Sequence, residues 1–338
     1  MTGMKKLSFR SFKQLPLKKK IILAVILIAL VVGALYALGV FKDKEVNEDG
    51  PEKKFYSQLT GVEVDEETSQ ESLLGVMVEN HPDARPQSGL GSAGIVFETI
   101  AEGGITRYMA LFQENMPTEL GPIRSVRAYY LDWAMGFDAS LAHVGGSADA
   151  LELVEKRDAK SLSQFKYEEP YRRVNSREAP HNVYSTGADL RKLQKELGHK
   201  TSTMPEMPRS NDSPAQTPTI PKISVGFSTS DFAVEFHYQK ETNSYARYLA
   251  GKPDTDNATK QPITVKNFIV IKLESRNISA LGNGQAFIFK DGNIQTVNWK
   301  QSSFDERIKF TDEQGKEVAL NRGNTWISAI PPTSSVSY

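Results

Sequence analysis

The sequence predicts an α+β protein preceded by one transmembrane helix: an α/β-like N-terminal domain, then a mainly antiparallel β C-terminal domain. Three observations carry this. Residues 21–41 form an apolar run without a charge. Residues 73–200 alternate β-rich stretches with glycine or proline turns and amphipathic segments. From residue 223 onward the chain reads as short strands separated by tight turns.

Composition narrows the field. The 338 residues carry 41 Lys+Arg against 41 Asp+Glu, and no cysteine. Zero net charge gives no domain-wide basic field, so no nucleic-acid partner is expected. The lack of cysteine excludes disulfides, thiol nucleophiles and thiolate metal sites. P-loop, Rossmann, H-E-x-x-H and EF-hand patterns do not occur, so no cofactor and no resident metal are expected.

Taken in order, residues 1–20 are a basic tail with Lys5, Lys6, Arg10, Lys13, Lys18, Lys19 and Lys20 and no acid. Ile21 to Phe41 is long enough, at ~1.5 Å per residue, to cross a ~30 Å hydrocarbon core. The flanking lysines place the N-terminus in the cytoplasm and the rest outside, as an uncleaved anchor in the cell membrane. The competing reading is a cleaved signal sequence, but its apolar region would be shorter, ~7–15 residues, and Ala37-Leu38-Gly39 is a poor cleavage site. Residues 42–72 are an acidic stalk, with Asp43, Glu45, Glu48 and Asp49, running into an irregular lead-in.

The folded region is expected from Leu73, with strands at 73–78, 94–100 and 106–112, the last two joined across Glu102-Gly103-Gly104. Gly121-Pro122 turns the chain into a helix capped by Ser125, whose apolar face holds Val126, Tyr129, Tyr130, Trp133, Ala134 and Phe137. A strand at 140–144 follows. Gly145-Gly146-Ser147 then leads into a helix over 148–156, and Thr186 caps another that Gly198 stops. Residues 201–222, with five prolines, form a linker or long surface loop between the domains 73–200 and 223–338. Beyond it, strands are expected at 223–228, 233–238, 245–249, 268–273, 286–289, 294–299, 307–311 and 325–330, with hairpin turns at 290–293 and 312–316.

The candidate chemistry gathers at these turns. Arg124 and Arg127 beside a helix N-terminus could hold a phosphate or carboxylate, or could be spent on internal pairs with Glu98, Glu102 or Asp132. Gly145, Gly146 and Ser147 could bring amides and a hydroxyl to the same anion, or form an ordinary turn. Glu79-Asn80-His81-Pro82-Asp83, at a strand end beside Arg85, could supply acid/base groups or metal ligands, or simply stabilise a turn. His181 and Asn182, in a polar turn before Val183-Tyr184, are candidates for the same cleft, whereas His143 suits a buried strand.

The stretches VMVENHPDARPQSGL, EGGITRYMALFQ, GPIRSVRAYY, HVGGSADA and APHNVYS occur in that order, followed by YARYLAGKPDTD, NFIVIKL, GQAFIFKDGNIQTVNWK and NTWISAIPP. Over Tyr56 to Tyr338 this resembles the YerB-like family of bacterial envelope proteins, a two-part domain of unknown function often described as "putative lipoproteins". The resemblance implies an extracytoplasmic location and a two-part fold, and no established reaction. A lipoprotein needs a cysteine to acylate, so here the apolar helix is expected to anchor the chain. The expected function is therefore binding of an anionic envelope component or peptide through an Arg-lined helix start, at Arg124, Ser125, Arg127, Gly145, Gly146, Ser147, Asn80, His81, His181 and Asn182. One alternative is an enzyme acting on cell-wall or lipid-linked phosphate substrates, with Glu79, His81 or Asp83 as base. The other is a scaffold for cell-wall synthesis proteins.

Overall fold

In the computed structural model of the chain, residues 16–38 and 53–338 are described. The first piece is one helix, α1 (Leu17–Ala37), apolar beyond Lys20 and none of it buried, with a mean hydropathy of 2.6 over an 18-residue window. At ~1.5 Å per residue it is long enough to cross a bilayer. It starts earlier than the apolar run, because Lys18, Lys19 and Lys20 are good helix formers following Pro16 at the N-cap. The expected basic tail to residue 15, the last residues of the run (39–41) and the stalk over 42–52 lie outside the described residues.

The body begins ahead of Leu73. Phe55–Tyr56 pairs antiparallel with Glu63–Val64, Leu59 is fully buried, and α2 (Glu66–Gln70) is capped by Asp65, which accepts from Thr68 N at 2.7 Å. The lead-in is thus a folded edge of the body. One buried leucine and an aspartate cap outweigh its polar composition.

The centre of the body is a ten-stranded mixed sheet. Its N-terminal strands are β1 (Leu74–Glu79), β2 (Ile95–Glu102), β3 (Ile105–Phe112), β4 (Ser140–His143) and β5 (Ser161–Ser163). Between them lie α3 (Ala128–Gly136) and α4 (Ala148–Lys156). A short hairpin, β6 (Arg172–Arg173) with β7 (Val183–Tyr184), leads into α5 (Gly187–Glu196). Beyond residue 221, β8 (Lys222–Gly226), β9 (Ala233–Gln239) and β10 (Ser244–Leu249) start a second sheet. The chain then returns to the first sheet with β11 (Asn267–Lys272), β12 (Gly282–Lys290), β13 (Asn293–Gln301), β14 (Lys309–Thr311) and β15 (Thr325–Ile330). Finally β16 (Ser335–Ser337) pairs with β8.

The large sheet runs β14-β13-β12-β11-β15-β2-β3-β1-β4-β5. Pairing is antiparallel within the hairpins, but parallel at β11–β15, β15–β2, β1–β4 and β4–β5. β15 lies against β2, Thr325 opposite Ile95, so strands from both sides of the proline-rich stretch share one sheet. Alternation along each strand feeds two cores. Met77, Phe97, Met109 and Ile327 pack with α3 through Tyr130, Trp133 and Phe137. Val76, Val78, Tyr108 and Trp326 pack against α5 and the second sheet through Leu190, Phe236 and Tyr245. Residues 201–222 are a packed loop: Met204 and Met207 are buried, and Arg209–Ser210 pairs with Leu320–Asn321. Tyr245, Trp299 and Trp326 are core residues.

Helix α3 starts at Ala128, with Arg127 at the N-cap position, so Ser125 does not cap it. Residues 123–126 are extended instead. They wedge between the diverging ends of β1 and β4, through bridges Val78–Ile123 and Val126–Gly146. Pairing both neighbours satisfies more backbone than one further helical turn would. Thr186 does cap α5, accepting from Asp189 N, and Gly198 with φ +79° follows its end.

Candidate functional site

The wedge positions the site at the C-terminal end of β1, where open sheets commonly meet ligands. Glu79 N donates to Pro122 O at 2.9 Å and Ile123 N to Val183 O at 2.7 Å, so β1, the 121–123 segment and the β6–β7 hairpin are tied together in layers. This brings His181 to Glu79, 102 residues away in sequence. Gly121, with φ +146°, permits the close approach: a Cβ there would stand 2.7 Å from the Tyr184 ring and 3.0 Å from Val183 O.

Glu79 has a side chain only 5% exposed, and each oxygen has its own partner. Oε1 faces Arg124 Nε at 3.1 Å, and Oε2 lies 2.9 Å from His181 Nδ1. An ionised carboxylate can only accept, so Nδ1 is the donor, and a neutral His181 ring then has its lone pair on Nε2. The His181 ring stacks on His81 at 4.8 Å between centroids. Asp83 N donates to His81 Nδ1 at 3.3 Å, and the Asp83 carboxylate lies 3.5 Å from that nitrogen. Asn80, fully buried, locks the loop from below. It donates to Thr106 Oγ1 at 2.6 Å, and its Oδ1 accepts from Arg85 Nε at 2.9 Å and Gln87 Nε2 at 3.0 Å.

A cleft of about 590 Å³ opens beside this cluster, lined by Asp83, Glu119, Arg177, His181, Tyr184 and Asn257 among others. Arg177 donates to the carbonyls of Asp83, Arg85 and Pro86 at 2.7, 3.2 and 2.8 Å, strapping the β6–β7 hairpin onto the 81–86 loop. Burial raises the Tyr184 phenol above its ordinary range, so the hydroxyl stays a donor at neutral pH.

The sequence candidates separate into two groups. Glu79, Asn80, His81, Asp83, Arg124 and His181 meet beside the cleft, with Asp83 and His181 on its wall. Asn182 serves the hairpin, accepting from Arg173 at 2.8 Å. Arg127 points elsewhere: it pairs closely with Glu102, which Arg107 also contacts at 3.2 Å, while its Nη1 donates to Val126 O at 2.7 Å. Ser125 contributes its carbonyl to Arg107 at 3.0 Å. The 145–147 turn is a packed corner. A Cβ on Gly145 would meet Phe165 at 2.8 Å and one on Gly146 would meet Val126 at 2.8 Å, while Ser147 N donates to Val126 O. Phe165 and its neighbour Leu151 belong to a separate hollow of about 500 Å³. Both arginines of the 121–127 motif therefore carry carboxylate partners, Glu79 and Glu102. Sequence reasoning missed Arg177, Tyr184, Glu119 and Asn257. Arg177 and Tyr184 were signalled by proximity to the His181 turn, whereas Glu119 and Asn257, distant in sequence, carried no signal.

A mixed α+β body whose N-terminal and C-terminal sequence segments share a sheet, with a charged cleft at a strand end, defines the class. Residues 59–200 match the model for the "Protein of unknown function (DUF3048) N-terminal domain", and residues 223–327 match that for its C-terminal domain. The chain belongs to this DUF3048 family. It is 31% identical to "Putative lipoprotein YerB" of Bacillus subtilis (strain 168), across 84% of this chain and 89% of that protein. It superposes on the crystal structure of the YerB protein from Bacillus subtilis with a TM-score of 0.75 at 29% identity, covering 84% of this chain and all of the other.

Proposed function

We propose that this is a membrane-tethered, extracytoplasmic envelope protein that binds a charged peptide segment of the envelope in the cleft beside His181. One observation carries the reading. A nearly buried glutamate at the end of β1 holds an imidazole by one oxygen and a guanidinium by the other, at the wall of a cleft. Burying that carboxylate costs solvation, which the two partners offset, and the result is a ring fixed in direction. The walls carry both signs: Asp83, Glu119 and Glu178 against Arg177 and His181. That mixture suits a ligand with both amine and carboxylate groups better than a simple polyanion. The apolar helix α1 and the lipoprotein description of the relative support the tether, with helix insertion taking the place of acylation in a chain without cysteine.

The test is calorimetric titration of soluble wall-peptide fragments into the full chain in detergent. His181→Ala is expected to weaken binding at least tenfold while folding survives. Equal affinity in the parent and this variant would end the assignment. A second reading, hydrolysis of a wall or lipid-linked substrate, is favoured by the 2.9 Å Glu79–His181 bond, which would make His181 Nε2 a general base. It requires turnover of such a substrate that His181→Ala abolishes.

A further inference from the structure

We propose that His81, Asp83 and His181 form a site for a divalent first-row transition ion, Zn²⁺ fitting best, with Glu79 as its positioning residue. One ligand atom from each of the three lies within 4.8 Å of the others. His81 Nδ1 and Asp83 Oδ2 are 3.5 Å apart. Two ligands at ~2.0–2.1 Å from a tetrahedral Zn²⁺ stand about 3.3–3.4 Å from each other, so this edge is nearly formed. The 4.8 Å spread of the three ligand atoms exceeds that edge by about 1.4 Å, and the stacked rings, 19° apart, must turn for their in-plane lone pairs to converge on one ion.

The hydrogen bonds leave each ring a nitrogen that can ligate. The Asp83 amide donates to His81 Nδ1, so that nitrogen is unprotonated, and the 3.3 Å bond is weak enough to give way to an ion. Glu79 takes the proton of His181 Nδ1 and leaves Nε2 to ligate, the carboxylate–histidine arrangement that fixes tautomer and ring direction in metal sites. Two imidazoles and one carboxylate, with no thiolate, suit Zn²⁺ and its neighbours, whereas Ca²⁺ and Mg²⁺ take mainly oxygen. The neighbouring cations are committed elsewhere, Arg124 to Glu79 and Arg177 to three backbone carbonyls. Asp83 has a side chain 75% exposed, and its carboxylate lies 3.5 Å from His81 Nδ1. Ring stacking alone would bring the two histidines together, but it would require neither Asp83 nor Glu79. Asp83 and His181 both line the cleft, so a position left open by three protein ligands would face it. The site stands whether or not the cleft takes a peptide.

The test uses the full chain in detergent, stripped with a chelator, then titrated with Co²⁺ by visible absorption and with Zn²⁺ by competition. One saturable ion per chain is expected, with ligand-field bands of four-coordinate intensity. Asp83→Asn, on an exposed side chain that cannot unfold the body, should weaken binding at least tenfold. Glu79→Gln should weaken it about 10–100-fold. The double variant His81→Ala/His181→Ala should lose the bands, and His237→Ala, on the second sheet, should bind like the parent. Failure of the parent to saturate at one ion per chain would overturn the proposal. So would full-strength binding in Asp83→Asn or in the double histidine variant.

Discussion

Two buried glutamates on neighbouring parts of one sheet have opposite fates. Glu98, in β2, is fully buried and accepts from Arg247 Nη2, Trp326 Nε1 and Thr106 Oγ1, each at 3.0 Å. Arg247, equally buried, also pairs closely with Asp254, bonds Tyr108 at 3.2 Å and lies 4.3 Å from the Trp326 ring centre. Burial alone would push its guanidinium down, but Tyr108, Glu98 and Asp254 outweigh that and raise it. Glu79 is nearly as buried, yet one of its partners is a ring with a spare nitrogen at a cleft. The clusters are joined, because Thr106 donates to Glu98 and accepts from Asn80 beneath the site. The core cluster, sealed from solvent with Arg247 Nε as a buried donor without a hydrogen bond, fixes how the two sequence segments pack. The cluster around Glu79 has the same chemistry, but its spare ring nitrogen lies at a cleft, and that atom is where function can be sought.

The contrast predicts unequal costs. Arg247→Met strands two buried carboxylates and should cost about 3–5 kcal/mol in urea denaturation. A loss below about 1 kcal/mol would show that the core cluster does not fix the packing. Glu79→Gln keeps one acceptor for His181 but removes the charge opposing Arg124. Arg124 is 25% exposed, so water takes up part of the difference, and a loss of about 1–2 kcal/mol is expected. If Glu79→Gln proved as costly as Arg247→Met, the cleft cluster would have to be counted as core.

Much of this architecture was legible. Strand positions were readable because β-branched and aromatic residues cluster in short runs between turns, as in Ile95–Glu102 and Asn267–Lys272. The partners of β15 were not, since pairing Thr325 with Ile95 depends on burial of both sheet faces and leaves no local pattern. At the site, Glu79, His81 and His181 could be named from turn chemistry. Their meeting could not, because it depends on the 121–123 wedge stacking the β6–β7 hairpin over β1. Arg124 and Arg127 looked like a pair by spacing. An extended segment sends side chains at 124 and 127 to opposite faces, so each found a different glutamate.

His143 supplies a pH-dependent comparison. It is fully buried, with Nδ1 2.8 Å from Gly145 O and Nε2 2.9 Å from Ser161 Oγ. Facing a carbonyl, Nδ1 must donate, and Nε2 accepts from the hydroxyl, so the ring is neutral. Burial accordingly lowers its pKa from 6.5. The unfolded chain therefore takes up a proton first as pH falls. Stability is fully present above the unfolded value and declines from there down to the folded one. Denaturation midpoints should fall from pH 7 toward about pH 5, and the slope should shrink in His143→Gln. An unchanged slope would assign the acid sensitivity to other groups, such as His199, whose pKa burial also lowers.

The smallest effect should come from Arg127→Ala, and it divides the 121–127 motif. Glu102 is 54% exposed and keeps Arg107 as a partner, so stability should drop by only ~0.2–1 kcal/mol, and less at high salt. Arg124→Ala instead removes one of the two partners that Glu79 has beneath His181. It should alter Co²⁺ affinity and peptide binding, while Arg127→Ala leaves both at parental values. Equal losses in the two variants would mean that the arginines act as one cationic surface, and the division of the motif between two glutamates would have no functional meaning.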